Sequence, residues 1–152
     1  MGVEIGQPAP DFELKDQRGE VRRLSDFKGS KNVVLMFYPL AFSGICTAEL
    51  CGIRDELPVF ENDDTVTLAV SVDSGYVLRA FADKEGYAFS LLSDFWPHGE
   101  VAKRYGVFSD DLGFAVRGTF IIDKEGIVRY AVVNPPTQAR DQEEYREALA
   151  AL

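Results

Sequence analysis

The chain is predicted to be an α/β protein with a mixed central sheet flanked by helices. Runs rich in apolar and β-branched residues, Lys31–Tyr38 and Thr65–Val72, alternate with segments whose apolar residues recur at helical spacing. Strands that alternate with helices build a parallel or mixed sheet covered on both faces. The stretch Thr119–Val133 reads as a hairpin turning at Asp123-Lys124-Glu125-Gly126, which adds an antiparallel edge. No repeat, low-complexity tract or composition break divides the 152 residues, so one domain over 1–152 is expected, long enough to bury a sizeable core.

The elements follow in order. Asp11–Asp16 and Val21–Leu24 are short extended pieces around a turn at Gln17-Arg18-Gly19. Lys31–Tyr38 is a core strand. Gly44 to about Asn62 reads as a helix, because Ile45, Leu50, Ile53, Leu57 and Phe60 share helical spacing; Pro58 kinks it or ends it early. Thr65–Val72 is a strand. Val77–Lys84 is a helix closed by Gly86, Leu91-Leu92 a short strand, and Gly99–Tyr105 a helix stopped by Gly106. After the hairpin, Asp141–Leu152 is a final amphipathic helix with acidic residues in its first turns.

Charge and composition exclude several classes. A net charge of −9 disfavours nucleic acid and anionic membrane surfaces, which attract basic patches. The longest unbroken apolar run, Val33–Tyr38, is far too short to span a bilayer. The start Met1-Gly2-Val3-Glu4-Ile5-Gly6 shows no secretion signal, and Gly6 stands where a myristoylation site wants Ser or Thr, so the cytoplasm is the expected compartment. Two cysteines, Cys46 and Cys51, are too few for a disulfide-stapled fold, and with one histidine a zinc site lacks ligands. No nucleotide, metal or flavin motif is present, and no cofactor is expected.

The chemistry concentrates at Pro39-Leu40-Ala41-Phe42-Ser43-Gly44-Ile45-Cys46, between a core strand and a helix. A cysteine in the opening turn of a helix faces unpaired backbone N–H groups and the positive end of the helix dipole, which favour the thiolate. Ser43 is a natural N-cap and a hydroxyl near whatever the sulfur attacks. Glu49, one turn beyond Cys46, shares its helix face and is placed to orient an arginine; the alternative is a solvated charge. Trp96 and His98 read as packing and loop residues, and Phe42, Trp96 and Phe120 as candidates for an apolar approach to the site.

Pro39-x-x-x-Ser43-x-x-Cys46 resembles the active-site signature of the peroxiredoxins, Pro-x-x-x-Thr/Ser-x-x-Cys. The resemblance runs over nearly the whole chain. Gly6–Leu14 (GQPAPDFEL) is similar to the family's N-terminal segment, Asp94–Val107 to the stretch leading to its Tyr-Gly-Val element, and Arg117–Asp123 to the strand bearing its catalytic arginine. The segments FYPLAFSGIC and SDFWPHG look most like the alkyl hydroperoxide reductase E group, whereas Cys51-Gly52-Ile53-Arg54-Asp55 looks like the Q-type (bacterioferritin comigratory) group. The resemblance implies a thioredoxin-like fold and reduction of hydroperoxides by cysteine. Cys46 would attack as thiolate and become a sulfenic acid. Arg117 would hold thiolate and peroxide with its planar donor fork, Ser43 would position the peroxide, and Pro39 would fix the turn and shield the sulfur.

Cys51 decides recycling. Five residues along a helix place it about 140° round and about 7.5 Å beyond Cys46, so a disulfide between them requires the first turns to unwind. Gly52 lowers the cost of that by about 1 kcal/mol relative to alanine. The Q-type resemblance implies that Cys51 resolves the sulfenic acid in this way, with thioredoxin as a suitable reductant. The reductase E resemblance implies a one-cysteine enzyme served by a mycoredoxin or a low-molecular-weight thiol. A dithiol oxidoreductase of thioredoxin type lacks its Cys-x-x-Cys here, and a non-catalytic binding module would leave Cys46 unreactive. The resemblance further implies a homodimer formed through loops near the site.

Overall fold

The computed structural model describes residues 3–152. The Met1-Gly2 start, read above for targeting signals, lies outside the described residues. Strands β1 (Glu13–Asp16) and β2 (Val21–Arg23) form an antiparallel hairpin, followed by a 3-10 turn at Leu24–Phe27 and strand β3 (Asn32–Phe37). Helix α1 spans Gly44–Asp55 and the short α2 spans Leu57–Phe60. Then come β4 (Thr65–Ser71), α3 (Gly75–Glu85), β5 (Ser90–Ser93) and α4 (Glu100–Arg104). A two-stranded ribbon, β6 (Phe108–Ser109) with β7 (Phe114–Ala115), precedes the long hairpin β8 (Arg117–Ile122) and β9 (Val128–Asn134). Helix α5 (Gln142–Ala150) ends the fold.

Seven strands make one sheet in the order β2-β1-β5-β4-β3-β8-β9. β4 pairs parallel with β3 and β5, while β8 pairs antiparallel with β3 and β9. This is the mixed, helix-flanked sheet the sequence predicts. Side-chain alternation along β3 divides the core. Val33, Leu35 and Phe37 pack with Phe120 and with Val101 and Tyr105 around α4. Val34, Met36 and Tyr38 pack with Cys46, Leu50 and Ile53 of α1, Leu78 and Phe81 of α3, and Tyr145 of α5. The reactive cysteine candidate therefore belongs to the α1–α3–α5 face.

Several boundaries differ from the sequence reading. The helix expected to reach Asn62 breaks at Glu56, because Pro58 has no N–H to donate to Arg54 and its ring crowds that carbonyl; in the first turn of α2 the missing donor costs nothing. Helix α3 starts two residues early, capped by Ser74 Oγ, which accepts from the Val77 amide at 3.3 Å, and ends on Gly86 in the left-handed region (φ +73°) as expected. The β6–β7 ribbon escapes sequence reading because two-residue strands carry no periodicity.

Candidate active site

The end of β3 sets the site. Tyr38 is wholly buried and its amide donates to Val70 O (3.0 Å), which fixes the chain as it leaves the sheet. Pro39 is buried behind it. The loop then turns sharply through Phe42, the one non-glycine described residue at positive φ (+68°). A conformation that L side chains rarely adopt persists only where the surroundings enforce it. Here Asp73 does so: its Oδ2 accepts from the Ala41 amide (2.8 Å) and from Ser71 Oγ (2.7 Å). Phe42 itself stays largely exposed, its ring 4.9 Å from that of Phe81.

Helix α1 begins immediately afterwards. Ser43 occupies the N-cap position, but its hydroxyl donates back to Leu40 O (2.9 Å) rather than capping the helix. The cap expected of this side chain is therefore not made, and the first-turn amides of α1 are left free of it. Cys46 is the third residue of the helix, its sulfur fully buried and reduced. Its own amide is among the orphan donors of the first turn.

One turn further, Glu49 is 5% exposed and surrounded by two guanidinium groups. Its Oε1 accepts from Arg117 Nη1 (2.6 Å) and Arg140 Nη2 (2.8 Å), and its Oε2 from Arg140 Nε (3.0 Å) and the Arg140 amide (2.8 Å). Burial pushes its pKa up, but the hydrogen bonds and charge of Arg140, with the charge of Arg117, outweigh that and hold it below the usual carboxylate range. The solvated-charge alternative is excluded by this burial.

The two arginines differ in what they leave unused. Arg140 donates also to Phe37 O (2.7 Å), Gly118 O (2.9 Å) and Thr119 Oγ1 (3.1 Å), so every nitrogen of its guanidinium is engaged and it ties α1 to β3 and β8. Arg117, at the start of β8 and 2% exposed, donates Nε to Pro136 O (2.7 Å) and Nη1 to Glu49. Among the described residues its Nη2 has no acceptor. A fixed, buried cation with a free donor edge is what an incoming anion or peroxide oxygen would meet.

Residues 5–131 match the AhpC/TSA family. The chain is 49% identical over 150 residues to alkyl hydroperoxide reductase E of Mycobacterium tuberculosis, covering 99% of this chain and 98% of that one. It is 36% identical to the chloroplastic 2-Cys peroxiredoxin BAS1 of Spinacia oleracea, covering 97% of this chain and 59% of the relative. The peroxidoxin BcpB structure from M. tuberculosis superposes with a TM-score of 0.87 at 32% identity (99% of this chain, 98% of that one). The reduced 2-Cys peroxiredoxin of Plasmodium vivax gives 0.85 at 30% identity (97% and 80%).

The chain belongs to the AhpC/TSA family of peroxiredoxins.

This peroxiredoxin brings Glu49 and Arg117 into contact and places Pro39, Ser43 and Cys46 on the one loop–helix junction. Sequence reading missed Arg140. It follows Pro135 and Pro136 in an irregular segment before α5, with no local signal of a role, and meets Glu49 across 91 positions of sequence. Cys51 lies on the same intact α1, half-buried, where its Sγ donates to Glu85 Oε1 (3.6 Å) and contacts the Tyr87 hydroxyl (3.4 Å). Phe120 is not part of an approach to Cys46, because it packs on the opposite face of the sheet. Trp96 is 80% exposed and so packs against little in its own chain, and His98 sits against Phe108 and Gly113 O rather than Trp96.

Proposed function

We propose that the chain reduces hydroperoxides at Cys46 and that Cys51 then resolves the product. The observation that carries this is Glu49, one turn from Cys46, holding Arg117 with a free donor edge. The Cys46 thiolate attacks one peroxide oxygen; the S–O bond forms as the O–O bond breaks, and the departing alkoxide or hydroxide takes a proton to leave as alcohol or water. Arg117 stabilises the negative charge that moves from sulfur to the departing oxygen. Ser43 positions the peroxide by turning its hydroxyl from Leu40 O, and Pro39 keeps bulk water from the sulfur.

In the second step the Cys51 sulfur attacks the sulfenic sulfur. An S–S bond forms, the S–O bond breaks, and hydroxide leaves with the thiol proton as water. Both cysteines lie in an unbroken helix with a separation that forbids the bond, so this step follows unwinding of α1. The Q-type resemblance of Cys51-Gly52-Ile53-Arg54-Asp55 supports this reading, while the one-cysteine cycle that the resemblance to the alkyl hydroperoxide reductase E group implies is the second reading.

The reductant is a thiol. Thioredoxin suits the disulfide, and a mycoredoxin or low-molecular-weight thiol suits the sulfenic acid. The enzyme works as one domain over 1–152 and as a homodimer in the cytoplasm, with neither nucleic acid nor membrane as partner. The net charge of −9 supports the exclusion of nucleic acid, and no described helix is long and apolar enough to cross a membrane.

Mixing reduced protein with one equivalent of hydrogen peroxide, quenching rapidly, and counting thiols with an intact mass tests the cycle. Loss of both thiols and two hydrogens is expected. Loss of one thiol with gain of one oxygen would support the one-cysteine cycle. Two unreacted thiols would overturn the peroxidase reading, and Cys46→Ser should abolish the reaction altogether.

A further inference from the structure

Tyr87 sits in the turn between α3 and β5, wedged in an aromatic row. Its ring is 5.1 Å from Phe81, edge-on, and 5.2 Å from Phe89, stacked. This packing leaves the hydroxyl little choice of position. It donates to Thr47 O (3.2 Å) and contacts Cys51 Sγ (3.4 Å). Thr47 and Cys51 are four residues apart on α1, so the Thr47 carbonyl is also the helical acceptor for the Cys51 amide. One hydroxyl therefore closes, from outside, the turn immediately after Cys46. That is the turn that must open before the two sulfurs can meet.

The surroundings reinforce the clasp. Cys51 Sγ also donates to Glu85 Oε1 (3.6 Å), and Arg54 Nη1 donates to Glu85 O (2.7 Å), so α1 is tied to the end of α3 at two successive turns. Burial, with Cys51 and Glu85 beside it, raises the Tyr87 hydroxyl well above its ordinary range, so it stays protonated and able to donate at any working pH.

We propose that Tyr87 is a positioning residue for the recycling step: its hydroxyl holds the Thr47–Cys51 turn of α1 wound and so sets how fast the oxidised Cys46 reaches Cys51. The inference rests on the reading of Cys51 as the resolving cysteine. While the turn is wound, Cys46 keeps its buried place and reacts with peroxide. Until it opens, the sulfenic acid is exposed to a second peroxide, which adds another oxygen to sulfur and leaves as alcohol or water, giving a sulfinic acid. The hydroxyl of Tyr87 thereby tunes the competition between disulfide and overoxidation.

Tyr87→Phe keeps the ring between Phe81 and Phe89 and removes only the hydroxyl. In the reduced protein, amide hydrogen exchange over residues 47–51 should quicken about fivefold, equivalent to ~1 kcal/mol at 1.36 kcal/mol per tenfold. After one equivalent of hydrogen peroxide, the disulfide should form about fivefold faster, and excess peroxide should give less sulfinic acid. Unchanged exchange together with an unchanged disulfide rate overturns the proposal. Glu85→Ala is the comparison: it frees Cys51 from one acceptor but leaves Tyr87 on Thr47, so its effect on exchange should be clearly smaller. Equal effects from the two variants would also overturn the assignment to Tyr87. If the unsubstituted protein forms no disulfide, the resolving role of Cys51 fails, and exchange in the reduced protein still decides whether Tyr87 is the clasp.

Discussion

Glu49 carries one negative charge against two guanidinium groups, and the three are buried together. Removing one partner of such a group leaves uncompensated charge in the interior, which typically costs about 3–5 kcal/mol. Glu49→Gln should lower unfolding stability at neutral pH by that order, read by chemical denaturation. The sign of its pH dependence follows from the depressed carboxyl. A group whose folded pKa lies below its unfolded value of 4.5 contributes stability that is present above about pH 4.5 and lost as pH falls through the folded value. The gap between the parent protein and Glu49→Gln should therefore close as the solution is acidified below that point, and a gap that stays constant would count against the carboxylate. Arg117→Ala tests the free donor edge. Loss of one preorganised donor of this kind costs about 10²–10³ in rate, which stopped-flow oxidation by hydrogen peroxide reads directly. An unchanged rate removes Arg117 from the site.

Helix α1 is gripped along its length by neighbouring elements. Gly52 faces the first residue of α5, and a Cβ placed there would run into the Gln142 amide. That amide donates to Glu49 O at 2.5 Å. Helix propensity favours alanine over glycine by about 1 kcal/mol, yet Gly52→Ala has to push Gln142 from the helix. The single substitution should be neutral or destabilising, whereas in a Gln142→Ala background it should stabilise by up to about 1 kcal/mol; a double-mutant cycle in urea reads the difference. Equal effects in both backgrounds would show that the glycine serves only helix flexibility, as sequence reading suggests. The same view of α1 explains why its two cysteines are far from equivalent. Cys46 is wholly buried within the α1–α3–α5 face, while Cys51 is held by polar groups from the end of α3.

At the scale of the whole molecule, the surface bears on assembly. Tyr76, Phe95 and Trp96, all strongly exposed, line one groove with Leu14 and Val21. Scattered exposed apolar residues are ordinary, whereas several aromatics grouped together mark a surface suited to a partner. If the proposed homodimer uses this surface, Trp96→Glu should convert a species of twice the chain mass to a monomer in sedimentation. A mass unaffected by the substitution would place the contact elsewhere. The substitution should leave the fold intact, because Trp96 buries little of itself in its own chain.

The sequence by itself determined the order of the main strands and helices, the mixed sheet, and the loop–helix junction that carries Pro39, Ser43 and Cys46, though not the β6–β7 ribbon or the position of the break between α1 and α2. These depend on local rules: β-branched runs, helical spacing, glycine stops and a short motif. Arg117 was also legible, though through the resemblance of its strand rather than through any local property. The tertiary structure alone decided what these residues touch. Arg140 meets Glu49 across 91 positions, and Tyr87 meets Cys51 across 36; contacts of that span leave no period in the sequence. Nor did the sequence show that Phe120 faces away from Cys46. Every residue of β8 is buried, so no alternation of polar and apolar residues marks its two faces. Only the pairing of β8 with β3 assigns Phe120 to the α4 side, and only the docking of α5 and the α3–β5 turn on α1 makes a reactive helix one that is also held shut.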